Sequence, residues 1–191
     1  MYRKGRKVKP YPIISLRDDF LTKIPVYWHL ILSCSVAIAI ASFYGVCTQD
    51  DAFISFRYAE NWAQGHGLVF NQGERVEGFS NLSWTLLFGW LIVLGLEPVS
   101  TSVVVGYLSV VLLICGVFFL ARQVKVSPIL PVWLMALDAS ILLEAVEGLE
   151  SVFYAALICW GAASSSQVWY RRQTSPWRTS TASRRSIVAP L

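Results

Sequence analysis

Charge is what this sequence has least of. Only 15% of its 191 residues are charged, whereas a soluble domain carries about a quarter. So little charge cannot cover a chain that is 55% hydrophobic, and a mean hydropathy of +0.52 points to lipid as the solvent. No glycine-rich phosphate loop, GxSxG elbow or zinc-ligand spacing occurs, which argues against ATP-driven transport and serine hydrolysis. The four cysteines (Cys34, Cys47, Cys115, Cys159) contain no CxxC and lie in or beside apolar runs. Such thiols usually behave as small hydrophobes, so neither a disulfide nor a metal centre is inferred from them.

What is present are long apolar runs, at residues 24–47, 101–120 and 128–160, with a marginal fourth at 82–96. A span needs about 20 apolar residues. The third run is interrupted by acidic residues and reads as two helices joined by a tight turn. The expected fold is an all-α polytopic membrane protein with four transmembrane helices, near 24–47, 101–121, 128–145 and 151–168. The run at 82–96 is short and carries Trp84 and Trp90, which suit the interface, so it is expected to be a juxtamembrane helix. Residues 1–23 form a basic tail before the first span. That arrangement imitates a signal peptide, but the length of the basic region and the spans that follow favour an uncleaved helix.

Orientation follows from charge. Residues 1–23 hold seven basic and two acidic side chains, and residues 48–81 hold five acidic and two basic ones. Excess Lys and Arg marks the cytoplasmic side, so the N-terminus is expected inside and the 48–81 loop outside. Arg122 and Lys125, and the arginines from Arg171 to Arg185, also fall inside provided that 82–96 does not span. The same basic residues account for a net charge of +4 and a pI near 9.0 without nucleic acid as a partner. On this topology the acidic turn Glu147-Gly148-Leu149-Glu150 shares the outer face with Asp50 and Asp51.

Within the loop, Phe53, Phe56, Ala59 and Ala63 recur at spacings of three and four, predicting an amphipathic helix over 52–64. Gly65-His66-Gly67 should end it. Leu68-Val69-Phe70 and Arg75-Val76-Glu77 flank Asn71-Gln72-Gly73-Glu74, predicting a short hairpin. Residues 171–191, rich in Ser, Thr and Arg without periodicity, read as a disordered tail.

The ordered set from Asp50-Asp51-Ala52-Phe53 through Tyr58-Ala59-Glu60-Asn61, then Gly65-His66-Gly67, then Phe70-Asn71-Gln72-Gly73-Glu74-Arg75-Val76-Glu77-Gly78, resembles the first outer loop of family C (GT-C) glycosyltransferases. These are membrane enzymes that take sugars from polyprenyl-phosphate carriers, and the likeness is to their terminal arabinofuranosyltransferase-like group. Gly148-Leu149-Glu150-Ser151 resembles a second outer-loop motif of that family. The resemblance implies transfer of a sugar, an arabinofuranose or related pentose, from a polyprenyl-phosphate donor to an envelope glycan or lipid at the outer face of the plasma membrane. It implies Asp50 as the base. Family members carry many more spans, often with a soluble C-terminal domain, so residues 24–170 are expected to be the N-terminal part of such a module, unable to turn over alone.

Each candidate has a bland counterpart. Transfer needs a base for the acceptor hydroxyl and groups that stabilise the departing phosphate. Asp50 and Asp51 are the catalytic candidates, with Asp51 orienting the loop, whereas a solvated acidic helix end would look alike. In an extended segment the two would point to opposite sides. Glu147 and Glu150, able to share a helix face with Glu144, are candidates for acceptor binding, and Asp50 with Glu150 for a divalent cation. A charged turn between two helices would look the same. Arg57 and Arg75 are candidates for the donor phosphate or, in the bland reading, salt-bridge partners of Glu60 or Glu77. Asp138 is expected within a helix, where it must be paired or functional. Asn81-Leu82-Ser83 is a chance-level glycosylation sequon. The alternative to an enzyme is a small non-catalytic membrane protein acting by helix association.

Overall fold

Apolar runs need internally bonded backbone, and every regular element is accordingly a helix. The computed structural model describes residues 26–74 and 76–174, with side chains to residue 165. In chain order the helices are α1 (Val26–Tyr44), α2 (Asp50–Ala63), α3 (Leu82–Val93), α4 (Pro98–Gln123), α5 (Ile129–Leu137), α6 (Ala139–Glu144) and α7 (Ser151–Thr174). No strand occurs among the described residues.

Side-chain bonds set the directions. Arg122, near the end of α4, donates to Tyr27 at the start of α1 (3.1 Å), so these helices run antiparallel. The Trp133 indole N–H on α5 donates to His29 on α1 (3.4 Å), and Trp160 on α7 donates to the Leu112 carbonyl of α4 (2.9 Å). The chain thus runs out along α1, back along α4, out through α5 and α6 and back along α7. Helices α2 and α3 pack on each other at the end where α1 stops and α4 starts.

The buried face of α1 is built from small residues, and that of α4 mixes small residues with Val103, Val110, Leu113, Ile114 and Phe118. On α1, His29, Ser33, Ala37 and Ala41 are buried at every fourth position, while Tyr27, Trp28, Ile31, Leu32 and Phe43 are exposed. On α4, Ser102, Gly106, Ser109, Leu113 and Gly116 form an inward seam spaced by fours and threes. A Cβ on Gly106 would run into the Ala145 carbonyl, and one on Gly116 would come within 3.1–3.3 Å of Cys159 and Trp160. Small residues inside and large apolar ones outside, as on α1, is the pattern of helices that associate in lipid. Glu97 caps α4: its carboxylate accepts from the backbone N–H groups of Ser100 (2.7 Å) and Val99 (2.9 Å). Those bonds, that from Ser100 first, hold its carboxyl below the usual glutamate range.

Several expectations are corrected. Among the described residues two helices, α1 and α4, are long and apolar enough to cross a membrane, not four. The run at 128–145 breaks at Asp138, which ends α5 and caps α6 by accepting from the N–H groups of Ser140 (3.0 Å) and Ile141 (3.2 Å). Its carboxylate is therefore exposed and bonded to backbone at a junction, not inside a helix. In α7 the described side chains form an apolar stretch over Ser151–Ser165. Trp84 is buried against Phe88 and Phe153, whereas Trp90 is the exposed tryptophan of α3. The helical backbone of α7 continues to Thr174, into the stretch read as a disordered tail. Residues 1–25 and 175–191, with the tails read there, lie outside the described residues.

Candidate functional site

The loop after α1 turns back at Gly45 (φ +75°), and the N–H of Gln49 bonds the Glu147 carbonyl at 3.0 Å. That bond joins the start of α2 to the turn between α6 and α7. Asp50 and Asp51 are the first two residues of α2. A helix sets neighbours about 100° apart, so the pair diverges by less than an extended segment would impose. Both carboxylates also complement the positive end of the helix, a structural reason for acids here irrespective of catalysis.

Helix α2 buries Ala52, Ser55, Phe56, Tyr58, Ala59 and Asn61, while Phe53 stays half exposed at 49%. The helix is as expected, but its buried face is rotated from the predicted stripe. Gly65 ends it with φ +84°, the Gly65 N–H bonding the Trp62 carbonyl and the His66 N–H the Asn61 carbonyl. Asn71 to Glu74 do form a turn, with the Glu74 N–H on the Asn71 carbonyl at 3.2 Å. The described residues that flank it do not pair as strands. Side chains of α2 take the place of a ladder: the Asn61 amide donates to the Val69 (2.7 Å) and Phe70 (2.9 Å) carbonyls. The Tyr58 hydroxyl donates to the Val76 carbonyl (2.8 Å) and accepts from the Gly78 N–H (3.0 Å).

These restraints shape a cleft of about 400 Å³ whose walls include Asp51, Ser55, Phe79, Asn81, Glu150 and Ser151. Asn81 organises it. Its amide nitrogen donates to Ser55 Oγ (2.8 Å) and Glu150 Oε2 (2.9 Å), and its amide oxygen accepts from Thr85 Oγ1 (3.0 Å). Gly148 (φ +81°) lets the acidic turn approach α2: a Cβ there would sit 3.2 Å from Ala52 Cβ and 3.3 Å from Ser102 Oγ and Thr48 Cγ2.

The candidates separate accordingly. Asp51 and Glu150 share this cleft, and Asp50 lines an adjoining open depression with Thr48 and Gln49. Glu147 is half-buried, contributing its backbone carbonyl to the junction. Glu144, Glu147 and Glu150 do not share a helix face, because α6 ends at Glu144 and α7 starts at Ser151. Arg57 is exposed, pairs with Glu60 at 3.8 Å and is not among the described residues lining the cleft. Arg75 lies outside the described residues. Asp50 and Glu150 line different cavities, and no group of three His, Cys, Asp or Glu side chains converges as metal ligands among the described residues.

In one stretch the chain is similar to a glycosyltransferase. It is 38% identical over 73 residues to the terminal beta-(1->2)-arabinofuranosyltransferase of Mycobacterium tuberculosis (strain ATCC 25618 / H37Rv). The aligned part is 35% of this chain and 12% of that enzyme, so the chain matches only a small share of its relative's length. No family model and no solved structure matches the chain. A glycosyltransferase-like relationship is what the similarity supports.

Sequence reasoning passed over Ser55, Tyr58, Asn61 and Phe79, and read Asn81 only as a sequon. Asn81 is 6% exposed and fully engaged, so that sequon is closed in the folded state. A usable signal was there. Ser55, Tyr58 and Asn61 are polar groups on the same side of α2 as Ala52 and Ala59, and a buried polar group requires a partner.

Proposed function

We propose that this chain is a membrane-embedded glycosyltransferase module that moves a pentose from a polyprenyl phosphate to a hydroxyl of an envelope glycan or lipid. The observation that carries this reading is the convergence of two distant acidic segments, at Asp51 and Glu150, on one cleft beside the end of an apolar helix. The likeness to an arabinofuranosyltransferase supports the same reading. So does the lipid-compatible exterior of α1 and α4. The N-terminus lies in the cytoplasm and the cleft opens on the outer side, where the arginine-poor loop belongs.

Asp50 takes the proton of the acceptor hydroxyl. The freed oxygen attacks the anomeric carbon from the side opposite the phosphate, the sugar–phosphate bond breaks, and polyprenyl phosphate leaves with the bond's electron pair. One displacement inverts the anomeric centre. Asp51 and Glu150 hold the acceptor, which separates the base from the binding carboxylates.

The test is a chimera in which the first outer loop of the mycobacterial enzyme is replaced by residues 48–81 of this chain, assayed for labelled pentose transfer in proteoliposomes. Transfer should persist, and Asp50→Asn should lower it by about 100-fold or more, the usual worth of a general base. Asp51→Asn should act mainly on the acceptor KM. An inserted, correctly sized chimera that transfers equally well with Asn at position 50 removes Asp50 as the base.

A further inference from the structure

Phe79 belongs to two cavities at once. On one side is the cleft of Asp51 and Glu150. On the other is a second cleft of about 390 Å³, walled by His66, Leu68, Val76, Glu77 and the same Phe79. Each lies near the lower end of the range usual for small-ligand sites, about 300–1,000 Å³. The Phe79 ring is braced by Tyr58, with centroids 4.8 Å apart at 61°. Tyr58 is itself 1% exposed and bonded to the backbone on both sides of Glu77. The partition between the clefts is therefore held by a buried side chain of α2, although it stands on a loop.

The geometry points to a continuous acceptor groove for a neutral oligosaccharide, with successive sugar residues in the two clefts and Phe79 between them. This inference rests on reading the first cleft as the acceptor site of a sugar transferase. Charge selects the ligand class. The walls of the first cleft carry Asp51 and Glu150 and, among the described lining residues, no Lys or Arg, while those of the second carry Glu77 together with His66. An anionic lipid phosphate would meet repulsion in the first cleft. Sugar hydroxyls donate well to carboxylates, and the faces of sugar rings pack on aromatic ones. Asn81 occupies one Glu150 oxygen and leaves the carboxylate's remaining acceptor capacity for such hydroxyls. The groove therefore recognises an acceptor of more than one residue, and the donor phosphate binds outside the first cleft.

The experiment uses the full chain in lipid nanodiscs, titrated calorimetrically with methyl arabinofuranoside, a linear arabinofuranose trisaccharide and farnesyl phosphate. The trisaccharide should bind about tenfold tighter than the monosaccharide, the worth of roughly one net hydrogen-bonded contact. Val76→Trp fills the second cleft from a side chain that is 63% exposed, which spares the core. It should abolish the trisaccharide advantage while leaving monosaccharide affinity unchanged, and Glu77→Gln should reduce that advantage in the same direction. Equal affinities for the two saccharides, no saccharide binding, or an advantage that survives both substitutions overturns the groove. Competition between farnesyl phosphate and the saccharides overturns its assignment to a neutral acceptor, while the chimera still decides whether transfer occurs. Hexose oligosaccharides showing the same length dependence, with arabinofuranosides silent, would keep the groove and sink the pentose reading instead.

Discussion

Asn81 shows how a single side chain does work that its local sequence conceals. Within Asn-Leu-Ser it is a sequon, and in the fold it ties α2, α3 and the 147–150 turn together through Ser55, Thr85 and Glu150. Truncation to Ala would strip the half-buried Glu150 carboxylate of its side-chain donor and leave two hydroxyls to find new partners. Losing a partner from buried polar groups costs about 1–3 kcal/mol. Asn81→Ala should therefore lower the thermal unfolding midpoint in detergent and weaken saccharide binding together. An unchanged midpoint would mean that water replaces the amide at no cost. Arg57 teaches the opposite lesson. An arginine in this loop invites a phosphate-binding role, yet it pairs with a carboxylate three residues along the same helix, and that exposed pair with Glu60 contributes little to stability.

At the scale of elements, close approach decides more than hydropathy does. Gly106 lets the turn after α6 press its Ala145 carbonyl onto α4, and Gly148 lets the same turn fold against α2 and α4. Adding a methyl at either place should cost about 1–3 kcal/mol through overpacking, with added backbone strain at Gly148 because its φ is +81°. The two substitutions should differ in degree. Gly106→Ala meets the Ala145 backbone and should cost more stability than Gly148→Ala, and both should reduce saccharide binding, because the turn that each displaces carries Glu150. Thermal unfolding and calorimetry on the two variants check these outcomes. The break at Asp138 belongs to this scale as well. An aspartate can cap a helix that restarts, so an apolar run of spanning length became two short helices.

For the whole molecule, the antiparallel course of α1 and α4 places residues 44–97 at one end and Lys125 at the other. In a cysteine-free variant in intact cells, thiols introduced at Gln72 and Ser151 should react with an impermeant reagent from outside, and one at Lys125 should not. Labelling at Lys125 from outside would reverse the orientation. Composition and periodicity were enough to establish a helical, lipid-compatible chain, the existence of α2 and its glycine stop, and a short α3 lying at one end. Those features depend on local patterns: apolar runs, spacings of three and four, and glycines able to adopt positive φ. The number of helices fit to cross a membrane was not legible, because Asp138 could equally sit inside a helix or cap a new one. The absent hairpin was equally hidden, since Tyr58 and Asn61 satisfy from α2 the backbone groups that strand pairing would have used. The acidic motifs could be recognised one by one, but which carboxylates share a cavity depends on contacts across some hundred residues of chain. Only packing at Gly148 and the bonds of Asn81 put Glu150 beside Asp51 and left Asp50 in the neighbouring depression, because side-chain direction is set by the partners that a residue meets in space.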